Sequence, residues 1–278
     1  MKYSFIFCRF TIFAAAILIA CNIFSLRELF LLPDGKLHVH FLSVGQGDAT
    51  LIITPSGSRV LVDGGPDLSV LEYIGDELPF FDRTIDSIIL THPDLDHLAS
   101  LPEVLRRYHV SNVIMPSVDR SLPRYQDFLN EIREQNISVI FGASDLFLDL
   151  DNAVSLHTLW PPVSASDLST NGSSLIQMLE FKSHKILFTG DADLQAENSL
   201  LASGADINAD VLKVPHHGSL SASSTGFLLS VNPTSAIVSA GLNNPHSHPH
   251  PIVLERLKSL GIAVRNTAVQ GTISMTFR

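Results

Sequence analysis

Between His92 and His97 the chain sets four side chains that bind cations, His92, Asp94, Asp96 and His97, into six residues. They follow directly on Ser87–Leu90, an apolar run that reads as a buried strand. A loop leaving such a strand can wrap a cation with imidazole and carboxylate ligands. A helix cap would account for one Asp and for neither histidine. Cys8 and Cys21 are the only cysteines and both lie near the N-terminus, which excludes a disulfide scaffold and Cys-based zinc sites. The chain has 278 residues and is 45% apolar, enough for a sizeable core. Its net charge is −10, with +2 on residues 1–36 and −12 on the rest, so the body is a poor non-specific binder of duplex DNA.

Phe10 to Leu26 carries no charge. As a helix it would be about 25 Å long, slightly short of the ~30 Å hydrocarbon core. Phe5 to Cys8 can extend it if Arg9 snorkels to the interface. We read residues 1–36 as an uncleaved membrane anchor. A secretory signal, or lipoprotein processing at Leu18-Ile19-Ala20-Cys21, is the alternative. Lys2 and Arg9 keep the N-terminus in the cytoplasm, which places the body, residues 37–278, outside the membrane.

The body shows neither a linker nor a repeat, so it reads as one domain. Strands are expected at Leu37–Val44, Ala49–Thr54, Arg59–Asp63, Ser87–Thr91, Val113–Met115, Ser138–Phe141 and Val154–Leu159. Further strands are expected at Ser174–Phe181, Lys185–Thr189, Asp210–Val214, Ala236–Ser239 and Thr272–Phe277. Helices are expected at Leu101–Tyr108, Tyr125–Gln135, Ala192–Ala202, Thr225–Val231 and Pro251–Leu260. Hairpins followed by alternating strands and helices suit two packed sheets with helices outside. Asp191 and His216-His217-Gly218-Ser219 each follow a strand, as the first motif does. Adjacent side chains on extended chain point opposite ways, so one of His216 and His217 is the better ligand. Asp48 and Asp63 close strand-end turns. Asp48 can orient a histidine from behind, and Asp63 carries the same two readings, turn or support. His248, in a Pro-rich loop, is either a ligand or a proton donor. His250 supports it or starts the helix.

His92-x-Asp94-x-Asp96-His97 resembles the HxHxDH metal motif of the metallo-β-lactamase fold, with Asp94 in place of the second His. Val44-Gly45-Gln46-Gly47-Asp48-Ala49, Asn171-x-x-Ser174-Leu175, Thr189-Gly190-Asp191, Lys213-Val214-Pro215-His216-His217-Gly218-Ser219 and His248-Pro249-His250-Pro251 also occur, in that order along the chain. Together they resemble the extracytoplasmic hydrolase domain of ComEC-type DNA-internalisation proteins, over residues 37–278. The resemblance implies an α+β fold, a four-layer αββα sandwich with a dinuclear site on one sheet edge, beside the N-terminal apolar helix. It implies His92, Asp94, Asp96, His97, Asp191 and His217 as metal ligands, with Asp191 bridging. Asp96, His216 and His248 are then catalytic, and Asn171, Ser174 and Ser219 bind substrate. Asn171 stands where many members of the fold have a further His. The oxygen-rich set favours two Mn²⁺ over two Zn²⁺. The expected activity is phosphodiester hydrolysis, with single-stranded DNA or a small phosphodiester as substrate. The expected partners are the membrane and a separate membrane channel protein, since only one apolar segment is present. The alternatives are β-lactam or other amide and ester hydrolysis, or a non-catalytic module.

Overall fold

The computed structural model describes residues 2–163 and 168–278, with side chains from Ile12 onward; Lys2, Cys8 and Arg9 therefore fall outside the described side chains. Its elements run α1 (Lys2–Phe30), β1 (Leu37–Phe41), β2 (Thr50–Ile53), β3 (Arg59–Val62), α2 (Ser69–Glu77), β4 (Thr84–Ile89), α3 (Leu95–Leu98), α4 (Leu101–Arg107), β5 (His109–Met115), α5 (Pro123–Glu134) and β6 (Ser138–Phe141). The second half runs β7 (Phe147–Asp151), β8 (Val154–Trp160), β9 (Ile176–Phe181), β10 (His184–Phe188), α6 (Leu194–Ser203), β11 (Val211–Lys213), α7 (Thr225–Val231), β12 (Ser235–Val238), α8 (Pro251–Ser259), β13 (Ala263–Asn266), α9 (Thr267–Gln270) and β14 (Ile273–Phe277).

The strands form two seven-stranded sheets, ordered β14-β1-β2-β3-β4-β5-β6 and β13-β12-β11-β10-β9-β8-β7. Alternation along each strand builds three apolar layers. Leu51, Leu61, Ile88 and Val113 point outward to α2, α4 and α5. Their neighbours Ile52, Val62, Ile89 and Ile114 point inward, meeting Leu179, Phe188, Val211 and Ile237 of the second sheet. On the far side Leu187, Leu212 and Ala236 pack under α6, α7 and α8. Strands buried on both faces read as continuous apolar runs, and three cores between four layers make the αββα sandwich.

Among the elements absent from the sequence reading, α2 buries only Val70 and Ile74, too few for a helical period to stand out. β7 and β13 are edge strands with mixed exposure. The hairpin turn at Pro55-Ser56-Gly57 is present, with β2 antiparallel to β3. α1 is long and apolar enough to cross a membrane, and its side chains from Ile12 to Leu26 are almost all exposed.

Candidate metal centre

The centre lies where strands end. The loops after β1, β3, β4, β10, β11 and β12 bring Asp48, Asp63, His92–His97, Asp191, His217 and Ser239 to one edge of the sandwich. Turns leaving the carboxyl ends of neighbouring strands converge there. The loop carrying Asp96 and His97 is cradled by backbone: Asp48 N–H donates to Asp96 O (3.1 Å) and Gly64 N–H to His97 O (2.6 Å). Gly47 must be glycine for this approach, because a Cβ there would strike the Asp96 carbonyl.

Ligand-type atoms of Asp96, His97, Asp191 and His217 all lie within 4.8 Å of one another. His217 Nε2 is 3.2 Å from Asp96 Oδ2 and 3.3 Å from Asp191 Oδ2, and His97 Nε2 is 3.3 Å from Asp191 Oδ1. His92 stacks obliquely on His97, ring centroids 4.2 Å apart, with its Nε2 3.7 Å from Asp94 Oδ2. Asp94 Oδ1 accepts from Arg120 (2.6 Å). Although Asp94 stands just before α3, its side chain makes no cap bond.

The second-layer contacts set the tautomers. His97 Nδ1 donates to Asp63 Oδ2 (2.8 Å) and His217 Nδ1 to Ser239 O (2.9 Å). The Thr91 hydroxyl spends its hydrogen on Asp63, so it accepts from His92 Nδ1 (3.1 Å). All three imidazoles thus present Nε2 to the centre, the arrangement that a metal-binding histidine requires. His92 Nε2, His97 Nε2 and Asp191 Oδ1 are buried without a hydrogen-bond partner. Imidazole nitrogens aimed at carboxylates, where a proton or a cation must lie between them, are a donor set that fits divalent cations.

The electrostatics agree. Burial alone would lower the His97 pKa, but Asp191 and Asp63 hold it well above the usual imidazole range. Burial likewise opposes, and Asp191 and Asp48 overcome, the proton on His217. Burial would raise Asp191, yet His217 and His97 hold its carboxyl well below the usual range. The cluster binds protons where a cation would otherwise supply the positive charge.

His216 and His217 are not on extended chain. Both take left-handed conformations (φ 49° and 54°) in a 3-10 turn, and this turn, not strand alternation, separates them. His217 is buried in the cluster. His216 stays partly exposed, its Nε2 3.7 Å from Asp191 Oδ2 and its Nδ1 3.0 Å from Ser221 Oγ. His248 lies above it, ring centroids 5.5 Å apart, and Asn171 Nδ2 reaches the His216 ring at 3.4 Å. Burial lowers the His248 pKa to about 4, with His216 adding to the effect. Gly218 lets this turn meet the His-rich loop: a Cβ would collide with Pro249, and His250 N–H donates to Gly218 O (2.9 Å). His250 caps α8, its Nδ1 accepting from Ile252 N–H.

Ser174, expected at the substrate, is fully buried, and its hydroxyl accepts from Asp191 N–H (3.2 Å), so in this structure it braces the Asp191 turn. Ser219 is nearly buried, its hydroxyl 3.0 Å from Ser221 Oγ. Three residues had no assigned part. Lys213 forms a buried ion pair with Asp48 beneath His217. Arg120 holds Asp94. Glu197 of α6 accepts from Ser223 and Ser224 N–H (2.5 and 2.9 Å) and ties the loop after Ser219 in place. Lys213 was legible as a charge inside an apolar strand; Arg120 and Glu197 carry no local signal.

The metallo-beta-lactamase superfamily model matches residues 42–241. The chain belongs to the metallo-beta-lactamase superfamily. Within that superfamily it is similar to the ComE operon protein 3 of Bacillus subtilis, 29% identical over 94% of this chain and 35% of that protein. It is similar to Recombination protein 2 of Haemophilus influenzae, 32% identical over 86% and 29%. Competence protein ComA of Neisseria gonorrhoeae is 26% identical over 87% and 32%. The chain spans about a third of the length of these curated relatives. Among solved structures, the metallo-beta-lactamase fold protein YhfI of Bacillus subtilis superposes with TM-score 0.59 at 13% identity, over 87% of this chain and 99% of that one. Igni18, a metallo hydrolase of Ignicoccus hospitalis, gives 0.57 at 15% identity, over 87% and 100%. These two likenesses establish the fold. Family and clustered ligands together make the chain a metal-dependent hydrolase of metallo-beta-lactamase fold.

Proposed function

We propose that this hydrolase is a membrane-anchored phosphodiesterase with its body outside the membrane, acting on single-stranded DNA or a small phosphodiester. The observation that carries the reading is the convergence of Asp96, His97, Asp191 and His217 beside His92 and Asp94. In this reading these six would hold two divalent cations, Mn²⁺ in preference to Zn²⁺, and Asp191, which faces both His97 and His217, would serve both. Such cations activate water as a nucleophile and draw charge from phosphoryl oxygens. Three carboxylates and one hydroxide would balance two dications, leaving a site that an anionic diester can approach. Asn171 and the Ser219 turn position the substrate, and His216 or His248 moves the proton of the leaving group. Arg120 lines a cavity of about 300 Å³ with Ser117, Asp119, Thr170 and Ser173, and its guanidinium pairs with Asp94. The competence-named relatives support a nucleic-acid substrate. The net −12 of the body disfavours a processive duplex nuclease.

A panel assay tests the proposal: single-stranded DNA, a bis-aryl phosphodiester and a β-lactam, each with Mn²⁺ and with Zn²⁺. Turnover of either diester with Mn²⁺ is expected. Turnover of the β-lactam alone would overturn it.

A further inference from the structure

The last turn of α1 is built into the body. Arg27 donates through Nη2 to the carbonyls of Gly75 (2.9 Å) and Asp76 (3.0 Å), which α2 leaves open at its C-terminal end. Glu28, buried, accepts from Phe80 N–H (2.7 Å) and from Arg27 (2.7 Å). Phe24 meets Phe80 edge to face, ring centroids 6.0 Å apart. Phe24 belongs to the uncharged run Phe10–Leu26, so whatever depth that run occupies, Phe80 shares it. Phe80 and Phe81 are nevertheless 69% and 71% exposed, and Leu29 and Phe30 at the end of α1 are exposed too. Two aromatic rings held in water next to an apolar helix are explained by a lipid surface, where aromatic side chains concentrate.

The same loop lies just before Thr84, the first residue of β4, whereas His92 follows the end of that strand. The eight steps from Thr84 to His92 span about 26 Å of extended chain. We propose that the Phe80-Phe81 loop seats in the lipid headgroup layer where α1 emerges, and that the metal centre faces away from the bilayer. The proposal rests on the reading of α1 as a membrane anchor. Substrate then reaches the centre from the aqueous side, and lipid headgroups of the same membrane do not.

The test uses the full chain in lipid vesicles, with tryptophan placed by Phe80→Trp or, separately, Phe81→Trp, and with Leu242→Trp on the exposed loop after β12 at the catalytic edge. Brominated lipids are the quencher, and native Trp160, buried in the second sheet's outer core, is the internal reference. At Phe80→Trp or Phe81→Trp, bromolipid should remove about half of the added emission, as for a ring ~5–10 Å into the headgroup boundary. Emission from Leu242→Trp and Trp160 should be unchanged. Chain that floats with the vesicles but shows no quenching at either loop position overturns the seating, and would indicate a protein partner over the loop. Quenching at Leu242→Trp overturns the orientation. Chain that fails to float refutes the anchor, and the seating with it, a result distinct from the other two.

Discussion

At the centre, each histidine has one nitrogen committed behind and one free in front. Asp63 does most of this work: it takes Thr91 N–H (2.8 Å), the Thr91 hydroxyl and His97 Nδ1. Asp63→Asn would put an amide donor among these donors and release the His97 ring. Metal affinity should fall by about 10- to 100-fold, measured by competition with a metal buffer while the secondary structure is checked by circular dichroism. Asp191→Ala should remove hydrolysis with little loss of fold; retention of more than about a tenth of wild-type turnover, only ~1.4 kcal/mol in barrier, would exclude a bridging role. The pH dependence has a definite sign. His97 and His217 have raised pKa values, so the metal-free chain holds protons there at neutral pH. A cation must displace them, so apparent affinity should rise with pH and protons should be released on binding. Titration with Mn²⁺ at about pH 6 and about pH 8 checks this, tighter binding at the lower pH being the contrary result.

Among elements, several boundaries were written locally. Asp193 caps α6 by accepting from Gln195 and Ala196 N–H, and Gly204 closes it in a left-handed conformation. Pro251 opens α8 at its first turn. Glu197 is different: it lies within α6, is completely buried, and its two acceptor bonds stitch that helix to Ser223 and Ser224. Nothing in residues 192–202 marks it as more than another helical glutamate. Glu197→Ala orphans two backbone donors at ~1–3 kcal/mol each, so Tm should fall by roughly 5 °C or more. A melting curve superimposable on wild type would show that solvent replaces the bonds at no cost. The 3-10 turn at Pro215–Gly218 also lay beyond local reading. His216 and His217 were expected on extended chain, but contacts with Gly190 O and the His-rich loop draw both into positive φ.

On the scale of the molecule, α1 and the body overlap. Arg27 and Glu28 satisfy groups of α2 and of the loop before β4, so a chain starting at residue 27 should be more stable than one starting at residue 37. The expected difference is ~0.5–1.5 kcal/mol, the net worth of a hydrogen bond that water can replace, read from urea denaturation; equal midpoints would show the contact to be idle. The charge bias of Lys2 and Arg9 predicts N-terminus in and body out. A phosphatase fused at Arg278 should therefore be active outside the membrane, and activity confined to the cytoplasm would move the substrate inside.

The sequence alone determined the layers and singled out the side chains that converge at the sheet edge. Strand periodicity sorts each side chain inward or outward, and metal-binding residues in tight runs after apolar strands announce themselves at short range. Tertiary structure decided what each residue near those side chains does. Ser174 stands 17 residues before Asp191 yet is buried against its backbone, and Asp63, 28 residues from Thr91, becomes the hub of the histidine contacts. Arg120, Lys213 and Glu197 acquire roles only when a distant carboxylate or amide arrives beside them. The physical reason is range: side-chain periodicity and capping act within a few residues, whereas a buried charge finds its partner only when the strands that carry both have paired.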